Sequence, residues 1–162
     1  MKEIYSKLYV GDDADYEKVK DNSDWRVLRC CKDGSGGHRE TLAYTERSAP
    51  KGPNYLFVER PRKLITNLVD TDDASFIPTP LVDKVLSYIS DSLRVGKLLI
   101  ACNQGESRAP SLAFLWLYLE GKLPADYHRA LRTFRTLYPA YSPANGIRQY
   151  VKDRISAAKH RR

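Results

Sequence analysis

Several things are missing from this sequence, and each absence narrows what the chain can be. No apolar run approaches the roughly 20 residues needed to cross a bilayer. The longest, Leu112 to Leu119, is short and falls inside a helical pattern, so no membrane role is expected. The opening MKEIYSKLYV has no apolar stretch of the kind that marks a secretory signal, and the expected location is the cytoplasm. The chain has 3 cysteines, an odd number that cannot pair completely and that favours reduced thiols. His38, His128 and His160 are scattered, with no ligand spacing to cysteine or acid, so no metal or other cofactor is expected. There is no internal repeat and no composition shift, and residues 1–162 read as one domain.

What is present is an ordinary globular composition, 42% hydrophobic and 29% charged, with a formal net charge of +7. A basic surface attracts phosphates and nucleic acid through its summed field, though it also simply aids solubility. The tail Lys159-His160-Arg161-Arg162 adds to that charge and reads as a solvated end.

Strand and helix patterns alternate along the chain. Residues 7–11 (KLYVG), 25–31 (WRVLRCC), 55–58 and 64–69 have strand character, and 97–101 (KLLIA) is an apolar run short enough for a buried strand. Helices are expected over 13–19, from Thr79-Pro80 to Gly96, over 109–119, and around Tyr127–Leu137 and Ile147–Ala158. Thr79 reads as a capping hydroxyl with proline behind it. Residues 32–53 are rich in Gly, Ser and Pro and read as a long loop, either functional or mobile. The alternation predicts an α/β fold with a central, mainly parallel sheet flanked by helices.

The chemistry concentrates in LLIACNQGESRAPS, residues 98–111. An apolar strand ends at Ala101. Cys102 follows, then Asn103, Gln104, Gly105, Glu106 and Ser107, then Arg108 at the mouth of a helix. A loop wrapped between a strand and a helix N-terminus turns backbone N–H groups inward and makes an anion-binding nest. Gly105 permits a backbone conformation that a side chain hinders, and Pro110 suits a first helical turn. The same N–H groups favour an ionised thiol as nucleophile. Arg108 supplies a planar fork that matches two phosphate oxygens. The pattern therefore points to two in-line phosphoryl displacements: attack by Cys102 on phosphorus, then attack by water on the cysteinyl-phosphate. A general acid protonates the leaving oxygen and later serves as base. Cys-x5-Arg alone is common; the preceding apolar strand, central glycine, Ser107-Arg108 and apolar helix with early proline give it weight.

Cys102-Asn103-Gln104-Gly105-Glu106-Ser107-Arg108 resembles the Cys-x-x-Gly-x-Ser-Arg loop of the dual-specificity branch of the protein tyrosine phosphatase superfamily. Leu8-Tyr9-Val10-Gly11 looks like that family's opening strand, and Ser142-Pro143-Ala144-Asn145-Gly146-Ile147 like its segment after the late helix. NLVDTDD and CNQGESRAPS are similar to a small bacterial and phage group. The resemblance implies a protein tyrosine phosphatase-like fold and hydrolysis of phosphotyrosine, with phosphoserine and phosphothreonine as further protein substrates. It implies a general acid among Asp70, Asp72 and Asp73. Asp72 fits the family's distance to the Thr79 helix and is preferred slightly; Asp70 fits the strand end and the spacing back from Cys102. The family usually has His before the cysteine and Ser or Thr after the arginine, where this chain has Ala101 and Ala109. By resemblance, these departures bear on turnover more than on phosphate binding.

Other residues have quieter readings. His38-Arg39 is a solvated loop pair or part of a substrate mouth, and Cys30 and Cys31 are buried apolar residues or partners for Cys102 in a reversible disulfide. His128, Arg129, Arg132 and Arg135 share a polar helix face, which makes an RNA 5′-phosphatase one alternative. A phosphate-binding module with little turnover is another, and a rhodanese-type sulfur transferase trails. Asn145 either holds the phosphate loop or starts the last helix.

Overall fold

The computed structural model describes residues 1–160, with only the backbone of His160; Arg161 and Arg162 of the basic tail lie outside the described residues. Its sheet contains β1 (Lys2–Tyr5), β2 (Leu8–Gly11), β3 (Trp25–Arg29), β4 (Phe57–Arg60), β5 (Lys63–Thr66) and β6 (Lys97–Ala101). The strand order is β1-β2-β6-β3-β5-β4. β2, β6, β3 and β5 run parallel, and β1 and β4 add antiparallel edges. The expected mainly parallel sheet is what the chain builds.

The KLLIA run becomes β6 because its place in the sheet needs apolar residues on both faces. Leu98 and Ile100 join a large core with Leu8, Val10, Leu28 and Leu64, while Leu99 and Ala101 face the other way, onto Tyr16 and Val19. Tyr16 and Val19 belong to α1 (Asp13–Val19), which Asp12 caps through a reciprocal hydrogen-bond pair with Asp15. The large core is covered by α3 (Thr79–Val95), α4 (Arg108–Leu119), α5 (Tyr127–Leu137) and α6 (Asn145–His160). α4 is apolar nearly all round because it is enclosed: Phe114 is 1% exposed and packs on Phe134 with ring centroids 5.2 Å apart. Truncating such a ring costs about 3–5 kcal/mol. Among the described residues no helix is long and apolar enough to cross a membrane.

Four local expectations are corrected. β1 had no sequence signal of its own; it is a short edge strand that β2 recruits. β4 and β5 sit at 57–60 and 63–66, joined by a turn in which Arg62 takes a φ of 60°. Thr79 is the first helical residue and makes no capping bond; Pro78 precedes the helix, and the Thr79 hydroxyl meets the Tyr150 hydroxyl at 3.1 Å. The 32–53 segment is not a plain loop. It contains α2 (His38–Leu42), and His38 is fully buried rather than solvated. One ring nitrogen lies 2.8 Å from the Tyr44 hydroxyl and the other 2.7 Å from the Asn54 carbonyl. Burial pushes its pKa down, so the neutral ring pins the segment shut. Arg39 beside it pairs with Asp33 at 2.7 Å.

Candidate active site

The loop from Cys102 to Ser107 leaves the end of β6 and enters α4. Among the described residues, the backbone N–H groups of 103–107 find no acceptor, so they remain free for an anion. The Cys102 thiol is 2% exposed and accepts the Ala109 N–H at 3.3 Å. It lies at the wall of a pocket of about 500 Å³, to which Asp70, Asn103, Ser107, Arg108 and Ala144 contribute.

The loop is fastened from outside at almost every residue. Gly105 has φ +71°, and a Cβ there meets the Gly11 backbone at 3.0 Å and the Tyr138 hydroxyl at 3.1 Å. The Tyr138 hydroxyl donates to the Gly105 carbonyl at 2.6 Å, and burial pushes its pKa up to about 12, so it stays a donor. Ser142 N–H donates to the Glu106 carbonyl at 2.7 Å. Ser107 Oγ accepts the Ala144 N–H and donates to Asp70 Oδ1, both at 2.9 Å. Gln104 and Glu106 are exposed and also contribute to the pocket wall.

Arg108 is held along one edge. Its Nη1 donates to the Leu68 carbonyl at 3.0 Å and its Nη2 to Asn103 Oδ1 at 2.7 Å. Its Nε–H is buried and has no hydrogen-bond partner among the described residues; Asp70 Oδ2 stands 3.9 Å away. Asn103 in turn donates to Asp13 Oδ1 at 3.3 Å and to the Asp33 carbonyl at 2.9 Å. Asp13 Oδ1 also receives Arg29 Nη2, and Arg29 Nε donates to the Ser35 carbonyl at 2.9 Å. Arg29 is fully buried, with its guanidinium 4.6 Å over the Tyr16 ring. A chain of polar contacts thus runs from Arg29 through Asp13 and Asn103 to Arg108, and residues 33–35 buttress it.

Of the three candidate acids, Asp70 alone lines the pocket. Thr71 is pinned to the start of α6, where its carbonyl accepts the Gly146 N–H at 2.9 Å. A Cβ on residue 146 meets that carbonyl at 2.3 Å, so only glycine allows the approach. The chain then turns outward: Asp72 is exposed, and Asp73 caps the 3₁₀ turn Ala74–Phe76 by accepting Ser75 N–H at 2.9 Å. That bond holds the Asp73 carboxyl below the usual range. Asn145 starts α6 and accepts from Arg148 at 2.9 Å; within residues 142–147 it is Ser142 and Ala144 that hydrogen-bond to the 102–108 loop.

No family model matches the sequence, and no curated protein matches it. Solved structures do. Human tyrosine phosphatase-like serine/threonine/tyrosine-interacting protein superposes with a TM-score of 0.68 at 15% identity, covering 98% of this chain and 97% of that one. Human DUSP28 gives 0.62 at 12% identity over 100% of both chains. The Yvh1 phosphatase domain from Chaetomium thermophilum gives 0.62 at 19% identity, covering 94% and 92%. The chain has the dual-specificity phosphatase fold.

At such identities the likeness is one of backbone, and the chemistry rests on this chain's own residues. In this dual-specificity phosphatase fold, Ala101 points away from the pocket into the small core under α1, beside Arg29 in the sheet register. Ala109 is fully buried and offers only its N–H to the sulfur. The nearby hydroxyls are engaged elsewhere: Ser111 with Tyr141 at 2.9 Å, Ser107 with Asp70. Cys30 and Cys31 are unpaired and fully buried, and burial raises both thiols, Cys31 to about 11. Asp13, Arg29 and Tyr138 were not singled out from sequence. Arg29 carried a signal, since an arginine inside WRVLRCC has to find a partner when the strand is buried.

Proposed function

We propose that the protein is a cysteine-dependent phosphatase acting on phosphotyrosine, with phosphoserine and phosphothreonine proteins as further substrates. The observation that carries this reading is the meeting of Cys102, Arg108 and Asp70 in one pocket, beside a loop whose backbone N–H groups at 103–107 have no acceptor among the described residues. Donors fixed in place before substrate arrives would stabilise a transition state whose charge spreads over phosphoryl oxygens. Ionised Cys102 attacks phosphorus, and the bond to the leaving oxygen breaks. Asp70 gives that oxygen its proton; its place in the pocket wall favours it over Asp72. Water then attacks the cysteinyl-phosphate, Asp70 takes a proton from it, and the sulfur departs toward the Ala109 N–H. Arg108 and the N–H groups neutralise charge throughout, so the scheme calls on no metal or cofactor.

A second reading is supported by Ala109. With no hydroxyl beside the sulfur, a phosphate-binding module with little turnover fits the same pocket, and one structural neighbour is described as a phosphatase-like interacting protein. A third, an RNA 5′-phosphatase, rests on exposed Arg129, Arg132 and Arg135, which have no carboxylate partner among the described residues. Its rate should fall steeply with salt. The test is a substrate panel of phosphotyrosine and phosphoserine peptides, phosphoinositides and 5′-triphosphate RNA, with Cys102→Ser as control. Hydrolysis of phosphotyrosine peptides that vanishes in the serine variant, with phosphate binding retained, is the expected result. More than a few per cent of wild-type rate in that variant contradicts the mechanism.

A further inference from the structure

Beside the pocket, on the other side of the acid-bearing segment, is a second concavity. It measures about 230 Å³, and Tyr55, Leu56, Val69, Phe76 and Pro78 line it. Tyr55, Val69 and Phe76 are 40%, 40% and 67% exposed, which is unusual for large apolar side chains that converge on one groove. Val69 is the chain neighbour of Asp70, so the groove and the candidate active site share one segment as a wall.

We propose that this groove is a specificity subsite that receives an aliphatic or aromatic side chain flanking the phosphorylated residue of a protein substrate. The proposal rests on the phosphatase reading and deepens it. Continuity is the first argument: an extended peptide advances about 3.3–3.6 Å per residue, so a side chain within about three residues of the reacting phosphate reaches a groove that begins at Val69. Charge is the second. The next unit of a nucleic acid brings another phosphate and needs a cation there. Lys32 is the cation in the groove lining, and its ammonium already donates to the Arg47 carbonyl. An uncharged apolar group suits this surface, and a phosphodiester does not. Anchorage is the third. The Asn67 amide donates to the Tyr55 carbonyl at 3.0 Å, and Asp73 holds the turn that carries Phe76. The groove is therefore set in place before a peptide arrives.

The experiment measures kcat/KM for the full chain on phosphotyrosine peptides that differ at one flanking position. Each carries Phe, Leu, Ala, Ser or Asp there, and p-nitrophenyl phosphate, which has no flanking residue, is the reference. At one position, Phe or Leu should exceed Ala by about tenfold, the discrimination typical of an apolar pocket. Phe76→Ala and Tyr55→Ala should each reduce that ratio to about threefold or less, while Phe76→Leu keeps most of it. Both residues are exposed, so their replacement leaves the core intact. The proposal is overturned by equal rates at every position, or by a preference that survives both alanine variants. It is also overturned if a 5′-phosphorylated oligonucleotide outperforms the best peptide and loses that advantage in Phe76→Ala, which makes the groove a base site. If neither p-nitrophenyl phosphate nor any peptide is hydrolysed, the phosphatase reading fails on its own. The groove is then read from the affinities of the same peptides carrying a fluorescent label, where the same ratios support or overturn it.

Discussion

Two walls of one pocket are built in opposite ways. The phosphate loop is tied by Asn103, Gly105, Glu106 and Ser107 to four other segments of chain. The acid-bearing wall has Val69, Asp70, Asp72 and Asp73 exposed, and it is attached through Leu68 to Arg108, through Asp70 to Ser107 and through Thr71 to Gly146, while Asp73 bonds only within its own turn. The difference matches what each wall would do on the proposed function. Charge on a phosphoryl group develops in one place, and donors fixed beforehand stabilise it without reorganising. A leaving group varies with the substrate, and an acid that serves it has to approach from an open side.

Breaking the rigid wall should have the largest effect. Arg108→Lys keeps the charge but loses the planar fork, and kcat/KM should fall on the order of 10²–10³-fold. A lysine variant equal to wild type in steady-state assays removes Arg108 from phosphate binding. On the open wall, Asp70→Asn should slow substrates with poor leaving groups by about 10²-fold and p-nitrophenyl phosphate much less. Asp72→Asn should leave both rates within about twofold, because Asp72 lies outside the pocket. The reverse pattern in a leaving-group series moves the acid to Asp72.

The smallest effect concerns the backing of the rigid wall. Tyr138→Phe leaves the buried Gly105 carbonyl unpaired and should cost about 1–3 kcal/mol in denaturant unfolding. Tyr138 and Tyr141, whose pKa values burial raises from 10.0 to about 12, contribute to an alkaline pH dependence that buried Cys30 and Cys31 share. The fold favours their neutral forms. The tyrosines' contribution is fully present below about pH 10 and is lost as pH rises toward 12. Unfolding stability should decline across that window, less steeply in Tyr138→Phe; an unchanged slope takes Tyr138 out of the loop's support.

The rigid wall was also the legible one. A loop that would bind an anion through its own backbone has to be contiguous, so Cys102 to Arg108 and the strand and helix around them stand together in the sequence. The open wall is spread over three neighbouring acids, and which of them faces the pocket depends on a contact between Thr71 and Gly146, 75 residues apart by the numbering (146 − 71). No local pattern encodes that. Nor does one encode β1, an edge strand stabilised by its partner, or the burial of His38 by Tyr44 and Asn54. The Arg29–Asp13–Asn103 chain joins three separate segments and is visible only once they are folded together.

On the proposed function, a covalent phosphate passes through Cys102 and leaves it slowly. The Ala109 N–H is the sulfur's hydrogen-bond donor, and the hydroxyls of Ser107 and Ser111 are occupied. Relative to a site with a hydroxyl at residue 109, one charge-assisted hydrogen bond fewer, about 1.5–3 kcal/mol, should slow phospho-enzyme breakdown on the order of 10- to 100-fold. Rapid-quench mixing with a phosphorus-labelled aryl phosphate measures this directly. The account predicts a burst of product near one per chain and matching label on the protein, absent in Cys102→Ser. It also predicts that Ala109→Ser shrinks the burst and raises the steady rate. No burst, no label and an unchanged rate in Ala109→Ser contradict it.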